Sequence, residues 1–437
     1  MADPGYETYR YRSLRDDQIR LLHVEPSKNL GDTICCRLRH HTINNIEDVS
    51  VLGQTKKDYE TLSYTWGAVH PDGSHLTHLI LVNEMPMHIT AQLHQALKRY
   101  RQLHIYGLAL WVDALCIDQN NIKERNQQVS KMDDIYWHCR NCMIWLGEFD
   151  SSHDASKLTS LVRRLESREV NGITLEQRKS EIDLLQGLLI RPWFDRRWVI
   201  QECTLSLHKI FVIGDQRLDH SKLVAAAGSL HVKLPALLIE ATWYREESHA
   251  QSAGQDSTHD KSLLQRLHAF RRAACTHPLD CVYALRGIAY DRAILPVDYN
   301  LEPRQLFCRV AQEYVRRDQT LPLLFASAIV RRRKPGWPSW LPDWSSDIPD
   351  VAHDRHDPCN RIHNRLMSLL ESARHHSDST PSWALPCTST TVESEPTSTE
   401  ALPTVTGGAA ITVSGARCAQ LLCKVYNRLY QFSKVLA

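Results

Sequence analysis

Short apolar runs alternate with polar turns along the first half of the chain, and their periods switch between two and about 3.6. Ile19–Val24 and Ile34–Leu38 read as strands parted by a turn containing Pro26, and Asp58–Gly67 reads as a third strand that ends at glycine. Leu79–Ile89 reads as a hairpin turning near Asn83-Glu84. Thr90 is placed to cap a helix whose Leu93, Ala96, Leu97 and Tyr100 fall on one face. Leu108–Ile117 is continuously apolar apart from Asp113, as a buried strand would be. Asn121 with Glu124 three residues on matches a capping box, opening a helix with Val129, Met132, Ile135 and Tyr136 inward. Cys142–Leu146 is the next strand, closed by Gly147. Strand, helix, strand, helix, strand in this order predicts an α/β fold with a parallel sheet and helical crossovers.

The pattern loosens afterwards. Ser151–Glu181 is polar and predicts an inserted helix with loops; Leu184–Ile190 stops before Pro192, as a helix should. Trp193–Leu207 reads as a helix and Lys209–Gly214 as a strand. Amphipathic helices over Leu263–Ala274 and Arg304–Arg317 flank Asp280–Ala289, and Pro335–Trp344 reads as a rigid belt packed on a core. Asp354–Gly408 is rich in His, Ser, Thr and Pro and predicts disorder. A strand at Ile411–Gly415 and a helix at Leu421–Tyr426 come after it.

The chain has 437 residues, enough for one large domain or two and a tail. A net charge of +2, from 52 basic and 50 acidic residues, gives no reason to expect a nucleic-acid or anionic-membrane surface. The run Arg331–Lys334 reads as a solvated loop. Met1–Asp17 lacks the apolar core of a signal peptide, and no apolar run is long enough to span a bilayer. Thirteen cysteines, odd in number and scattered through apolar stretches, read as reduced thiols of an intracellular, cytoplasmic protein.

Three islands carry candidate chemistry where a strand would meet its loop: Tyr59–Gly67, Leu110–Gln119 and Ile144–Gly147. Tyr64 and Trp66 offer aromatic faces for stacking a planar ligand, or else pack in the core, and Gly67 permits a tight turn. Asp113 and Asp118 lie within and at the end of an expected strand. A carboxylate there is paired or functional, and Asp113 could hold a ribose hydroxyl or orient Arg125. Cys139 and Cys142 have no second pair at zinc spacing, and the cluster His353, His356, Cys359 and His363 offers weak incidental metal affinity at most. Cys116 lies in an apolar stretch and reads as an inert thiol. No Gly-rich phosphate loop of Walker or Rossmann type is present.

Several of these pieces, in order, resemble the fungal HET (heterokaryon incompatibility) domain. They are Leu62-Ser63-Tyr64-Thr65-Trp66-Gly67, Trp111–Gln119, Glu124–Val129, Met132–Tyr136, Arg191-Pro192-Trp193-Phe194 and Arg197–Glu202. The likeness spans Tyr11–Gly214, and Asp280–Leu285, Pro296–Tyr299 and Pro338–Ser345 look like the segment that often succeeds the domain. It implies N-terminal strands over 1–58, a domain core over 59–214, a mainly helical region over 215–350, a low-complexity stretch over 351–408 and a strand–helix segment over 409–437. It also implies fungal nonself recognition and programmed cell death.

The family is distantly similar to TIR domains, which are flavodoxin-like, and some of these cleave NAD through one glutamate. The spacing of Trp198-Val199-Ile200-Gln201-Glu202 resembles that motif, with Val199 in place of its cysteine. By that resemblance Glu202 is the catalytic candidate, NAD the candidate substrate, and Tyr64, Trp66, Gly67, Asp113 and Arg125 the candidate binding residues. From the residues alone, Glu202 reads rather as a helix-surface or ion-paired group, bridged to Arg196 or Arg197. The chain therefore reads as an NAD-cleaving enzyme, as a non-catalytic module that self-associates or recruits a protein partner, or as an inactive orphan member. No metal is implied.

Overall fold

The computed structural model describes residues 8–317 and 341–345, apart from 28, 44–45, 47, 52–53, 68–74, 104–107, 168–173, 243 and 245–261. The sheet and its helices lie in the larger of two units, formed by 1–313 with 321–350; of the smaller, only 314–317 are described. The basic run at 331–334, most of the belt at 335–344, the low-complexity tail, its His/Cys cluster and the C-terminal strand and helix fall outside the described residues.

In chain order the strands are β1 (Gln18–Val24), β2 (Cys35–Thr42), β3 (Asp48–Val51), β4 (Gln54–Lys57), β5 (Tyr59–Ser63), β6 (Leu76–Val82), β7 (Met85–Thr90), β8 (Ala109–Trp111), β9 (Cys142–Gly147), β10 (Lys209–Ile213) and β11 (Gln216–Asp219). Among the described residues, nine of them form one sheet in the order β11-β10-β9-β5-β8-β1-β2-β6-β7, and β3 and β4 pair separately. The pairs β10–β9, β9–β5 and β5–β8 are parallel. Taken in chain order as first to fourth, β5, β8, β9 and β10 lie second-first-third-fourth across the sheet, the start of the doubly wound flavodoxin order. Beyond β8 the antiparallel β1 and β2 extend the sheet, and β11 closes the other side as a hairpin with β10. The boundary expected at 214 falls in the turn of that hairpin.

Local chemistry accounts for much of this. β5 is buried along its whole length, as a strand covered on both faces must be. Asn83 and Glu84 take φ of 49° and 68°, the left-handed pair that a two-residue hairpin needs between β6 and β7. Thr90 Oγ1 accepts from the Leu93 amide, capping α1 (Ala91–Leu103), and Leu93, Ala96, Leu97 and Tyr100 face inward.

Three expectations are corrected. The apolar stretch 108–117 is not one strand: β8 ends at Trp111, and α2 (Asp113–Cys116) comes next, with the Cys116 amide bonded to Val112 O at 2.7 Å. Asp113 therefore opens a helical turn, and Cys116 is buried in it rather than in a strand. The helix expected from Asn121 is two, α3 (Ile122–Val129) and α4 (Met132–His138). It breaks at Ser130, whose hydroxyl donates to Gln127 O. Within Trp193–Leu207, a 3-10 turn (Pro192–Asp195) precedes the helix Trp198–Leu205. Arg196 between them is extended because it bridges to Ala274.

The crossover from β9 to β10 runs through α5 (Ser152–Ser167), α6 (Leu175–Leu189) and α7 (Trp198–Leu205). α7 packs against α4 and against the helix Asp280–Arg286. Among the described residues no helix is long and apolar enough to cross a membrane.

Candidate functional site

The carboxyl ends of parallel strands are where an open α/β sheet places its ligand crevice. Here a cavity of about 580 Å³ lies beyond β5 and β8. Trp66, Gly67, Asp113, Arg125, Arg196 and Trp198 line it. Cys275, Thr276, His277, Asp280 and Tyr299, from a segment far along the chain, form a further wall of it. Four of the six residues singled out from the sequence thus meet in one cavity. They come together because β5 stops at Ser63 and the chain turns through Gly67 at φ +80°, while β8 hands over to α2 at Asp113.

Asp113 is half-buried and serves as an acceptor twice. Its Oδ2 accepts from Trp66 Nε1 at 3.1 Å, and its Oδ1 accepts from the Ala114 amide at 2.7 Å. Burial pushes its pKa up, opposed by the Arg196 guanidinium and by these two hydrogen bonds. Asp113 does not orient Arg125. That guanidinium lies over the Tyr299 ring, 3.7 Å from its centroid, and its Nε makes no hydrogen bond among the described residues. Tyr299 is fixed in turn, its hydroxyl donating to Asp280 Oδ1 at 2.6 Å and its amide donating to Asn126 Oδ1 at 2.8 Å. Asp118 caps its own turn by accepting from the Asn120 amide.

Tyr64 and Glu202 are not cavity residues. Tyr64 is buried in the core, and its carbonyl accepts from Arg196 Nη1. Glu202 is 2% exposed, which overturns its reading as a helix-surface residue. Its carboxylate accepts from Ser63 Oγ, and Ser63 Oγ itself accepts from Trp193 Nε1 at 2.7 Å. Burial raises the Glu202 pKa to about 7, with Arg196 opposing, Asp113 adding to the rise and the Ser63 bond opposing. Both groups that act on it electrostatically, Arg196 and Asp113, line the cavity, so Glu202 stands one layer behind the wall.

Arg197, the other suggested partner of Glu202, is engaged elsewhere. Its guanidinium donates to the backbone carbonyls of Ala273, Cys281 and Arg271, tying the far wall to the start of α7. The wall itself, Cys275–Asp280 with Tyr299, was not assigned to a site from the sequence. Its only signal there is the family-like wording of Asp280–Leu285 and Pro296–Tyr299. Chemically, the cavity combines aromatic faces (Trp66, Trp198, Tyr299), a cation whose Nε has no hydrogen-bond partner among the described residues (Arg125) and a carboxylate that protonates more readily than usual (Asp113).

Residues 59–202 match the family described as Heterokaryon incompatibility protein (HET). The chain is also similar to heterokaryon incompatibility protein 6, OR allele, of Neurospora crassa. The two are 23% identical over 404 residues, covering 74% of this chain and 57% of that protein. The chain thus spans little more than half the length of that relative. No solved structure matches.

Proposed function

We propose that the protein acts in heterokaryon incompatibility, the fungal nonself response that ends in death of fused cells, because residues 59–202 match the HET family. The name of the Neurospora relative supports that role. Within it, the cavity binds a nucleotide, with NAD as the substrate and Glu202 as the catalytic carboxylate.

The observation that carries the ligand reading is the convergence of Trp66, Gly67, Asp113 and Arg125 on one cavity at the ends of β5 and β8. Arg125 offers N–H donors to a phosphate, and Trp66 and Tyr299 offer faces to a planar ring. Cleaving the nicotinamide–ribose bond builds positive charge on the ribose, which a nearby carboxylate stabilises. Asp113 supplies one such charge at the wall. For Glu202 to act, its carboxylate must leave Ser63 and reach the cavity.

A second reading is favoured by the same burial of Glu202. A carboxylate held by Ser63 and kept from the cavity fits a non-catalytic module, in which ligand binding promotes self-association or recruits a protein partner.

Expressing the wild type, Glu202→Gln and Asp113→Asn in fungal cells, with NAD content and viability followed together, separates the two. NAD loss that precedes death and vanishes with Glu202→Gln supports cleavage. Death with NAD intact in all three proteins removes it and leaves the signalling module. No death in any of them identifies a chain that needs an activating partner or is inactive.

A further inference from the structure

Independently of the ligand, the far wall of the cavity holds two thiols in contact. Cys275 Sγ lies 3.2 Å from Cys281 Sγ, within hydrogen-bonding distance. Cys275 is half-exposed and lines the cavity; Cys281 is buried behind it at the start of the helix Asp280–Arg286. We propose that Cys275 and Cys281 form a reversible disulfide when peroxide enters the cavity, making the wall an oxidation site.

The geometry favours this pair over the other described cysteines. The two sulfurs need to approach by only about 1 Å to reach bonding distance. The segment between them is short and anchored on both sides: Arg197 holds the carbonyls of Ala273 and Cys281, and the Ala274 amide donates to Asp195 O at 2.6 Å. The contact between the two thiols draws the Cys281 pKa down, with burial opposing and the Arg197 guanidinium adding to the fall, and pushes the Cys275 pKa up.

The chemistry balances with hydrogen peroxide as oxidant. The Cys275 sulfur attacks one peroxide oxygen; the S–O bond forms, the O–O bond breaks, and the leaving hydroxide takes the thiol proton as water. The Cys281 sulfur then attacks the Cys275 sulfenic acid. The S–S bond forms, the S–O bond breaks, and the departing hydroxide takes the Cys281 proton as a second water. Two thiols are oxidised by two electrons in total, and one peroxide is reduced to two waters. A thiol reductant reverses the change by exchange.

The consequence reaches the ligand side. Asp280, adjacent to Cys281, accepts from Tyr299 and from Trp198, and Tyr299 carries Arg125. Closing the disulfide therefore bears on the wall that faces Arg125.

The test uses the full chain. Trypsin releases 273–286 as one peptide containing both sulfurs. The protein is treated with graded peroxide up to the dose that oxidises the half-exposed Cys35 and Cys308. Free thiols are then alkylated and the digest is mapped by mass spectrometry. The expected result is that 273–286 loses both alkyl groups and two hydrogens before Cys35 or Cys308 reacts, and regains both alkylation sites after dithiothreitol. Full alkylation of 273–286 at a dose that has oxidised Cys35 overturns the proposal, as does conversion of Cys275 to sulfinic acid without the bridge. Cys281→Ser should leave a sulfenic acid on Cys275 that dimedone traps. Because Cys281 is buried, Cys275→Ser is the second variant and should abolish the bridged peptide without creating another.

Discussion

Ser63 donates its hydroxyl hydrogen to Glu202, joining the end of β5 to the middle of α7. The same oxygen accepts from Trp193, so one hydroxyl satisfies two buried groups. Ser63→Ala strands both, at about 1–3 kcal/mol each. The Glu202 pKa should rise further, because the lost bond favoured the charged form. Urea unfolding and the infrared carboxyl band of the variant check the two effects.

Glu202 also sets a pH dependence. Its pKa rises from 4.5 to about 7 on burial, so over that window the unfolded chain releases a proton that the folded one keeps. Stability therefore falls as pH rises through the window, by roughly 3 kcal/mol at most, and levels off above it. Glu202→Gln has no proton to lose there. The difference in urea midpoint between wild type and variant should move in the variant's favour from pH 4.5 to 7. A constant difference across that range would sink the assignment.

Arg20 and Glu124 form a buried two-pronged ion pair, Nη1–Oε1 at 2.5 Å and Nη2–Oε2 at 2.9 Å. Glu124 also accepts from the Asp118 amide, and Arg20 donates to Cys116 O. The pair thus clamps β1 to the loop that carries α2 and α3. Removing one charge leaves the other buried and unpaired, so Glu124→Ala should cost about 3–5 kcal/mol. Arg20→Met with Glu124→Leu should cost less than the sum of the single changes in a double-mutant cycle.

Two glycines should respond differently to alanine. At Gly67 an added Cβ meets nothing within 4 Å, and only the φ of +80° opposes it. Gly67→Ala should cost about 1–2 kcal/mol. At Gly287 the Cβ would lie 2.6 Å from Gln201 Oε1 and 2.8 Å from Asp133 Cβ, where the helix Asp280–Arg286 meets α7 and α4. Gly287→Ala should cost more, about 3 kcal/mol or above, through displaced packing. Thermal melts of the two variants side by side decide the order.

The sequence disclosed what is local. The Asn83-Glu84 turn, the Thr90 cap and the inward face of α1 rest on residues a few positions apart, and the structure bears them out. The ending of β8 at Trp111 was hidden, because a buried strand and a buried helical turn look alike as an apolar run. The hairpin β3–β4 was hidden for the opposite reason: Asp48–Val51 alternates over only four residues, and Gln54–Lys57 has no apolar residue at all. At the site, Trp66, Gly67, Asp113 and Arg125 were legible as strand-end groups. The Ser63–Glu202 contact spans 139 positions, and the wall at 275–280 belongs to a segment far from the domain's signature. Only packing of α7 on its neighbours brings these together.

Arg197 holds the far wall entirely through main-chain oxygens, those of Arg271, Ala273 and Cys281. Such a grip is indifferent to which side chains the segment carries. A substitution at Thr276 can therefore redraw the face presented to the cavity while the strap stays fastened. The fastening of the wall and the chemistry it shows to the cavity are thus set by different atoms, and one can change without the other.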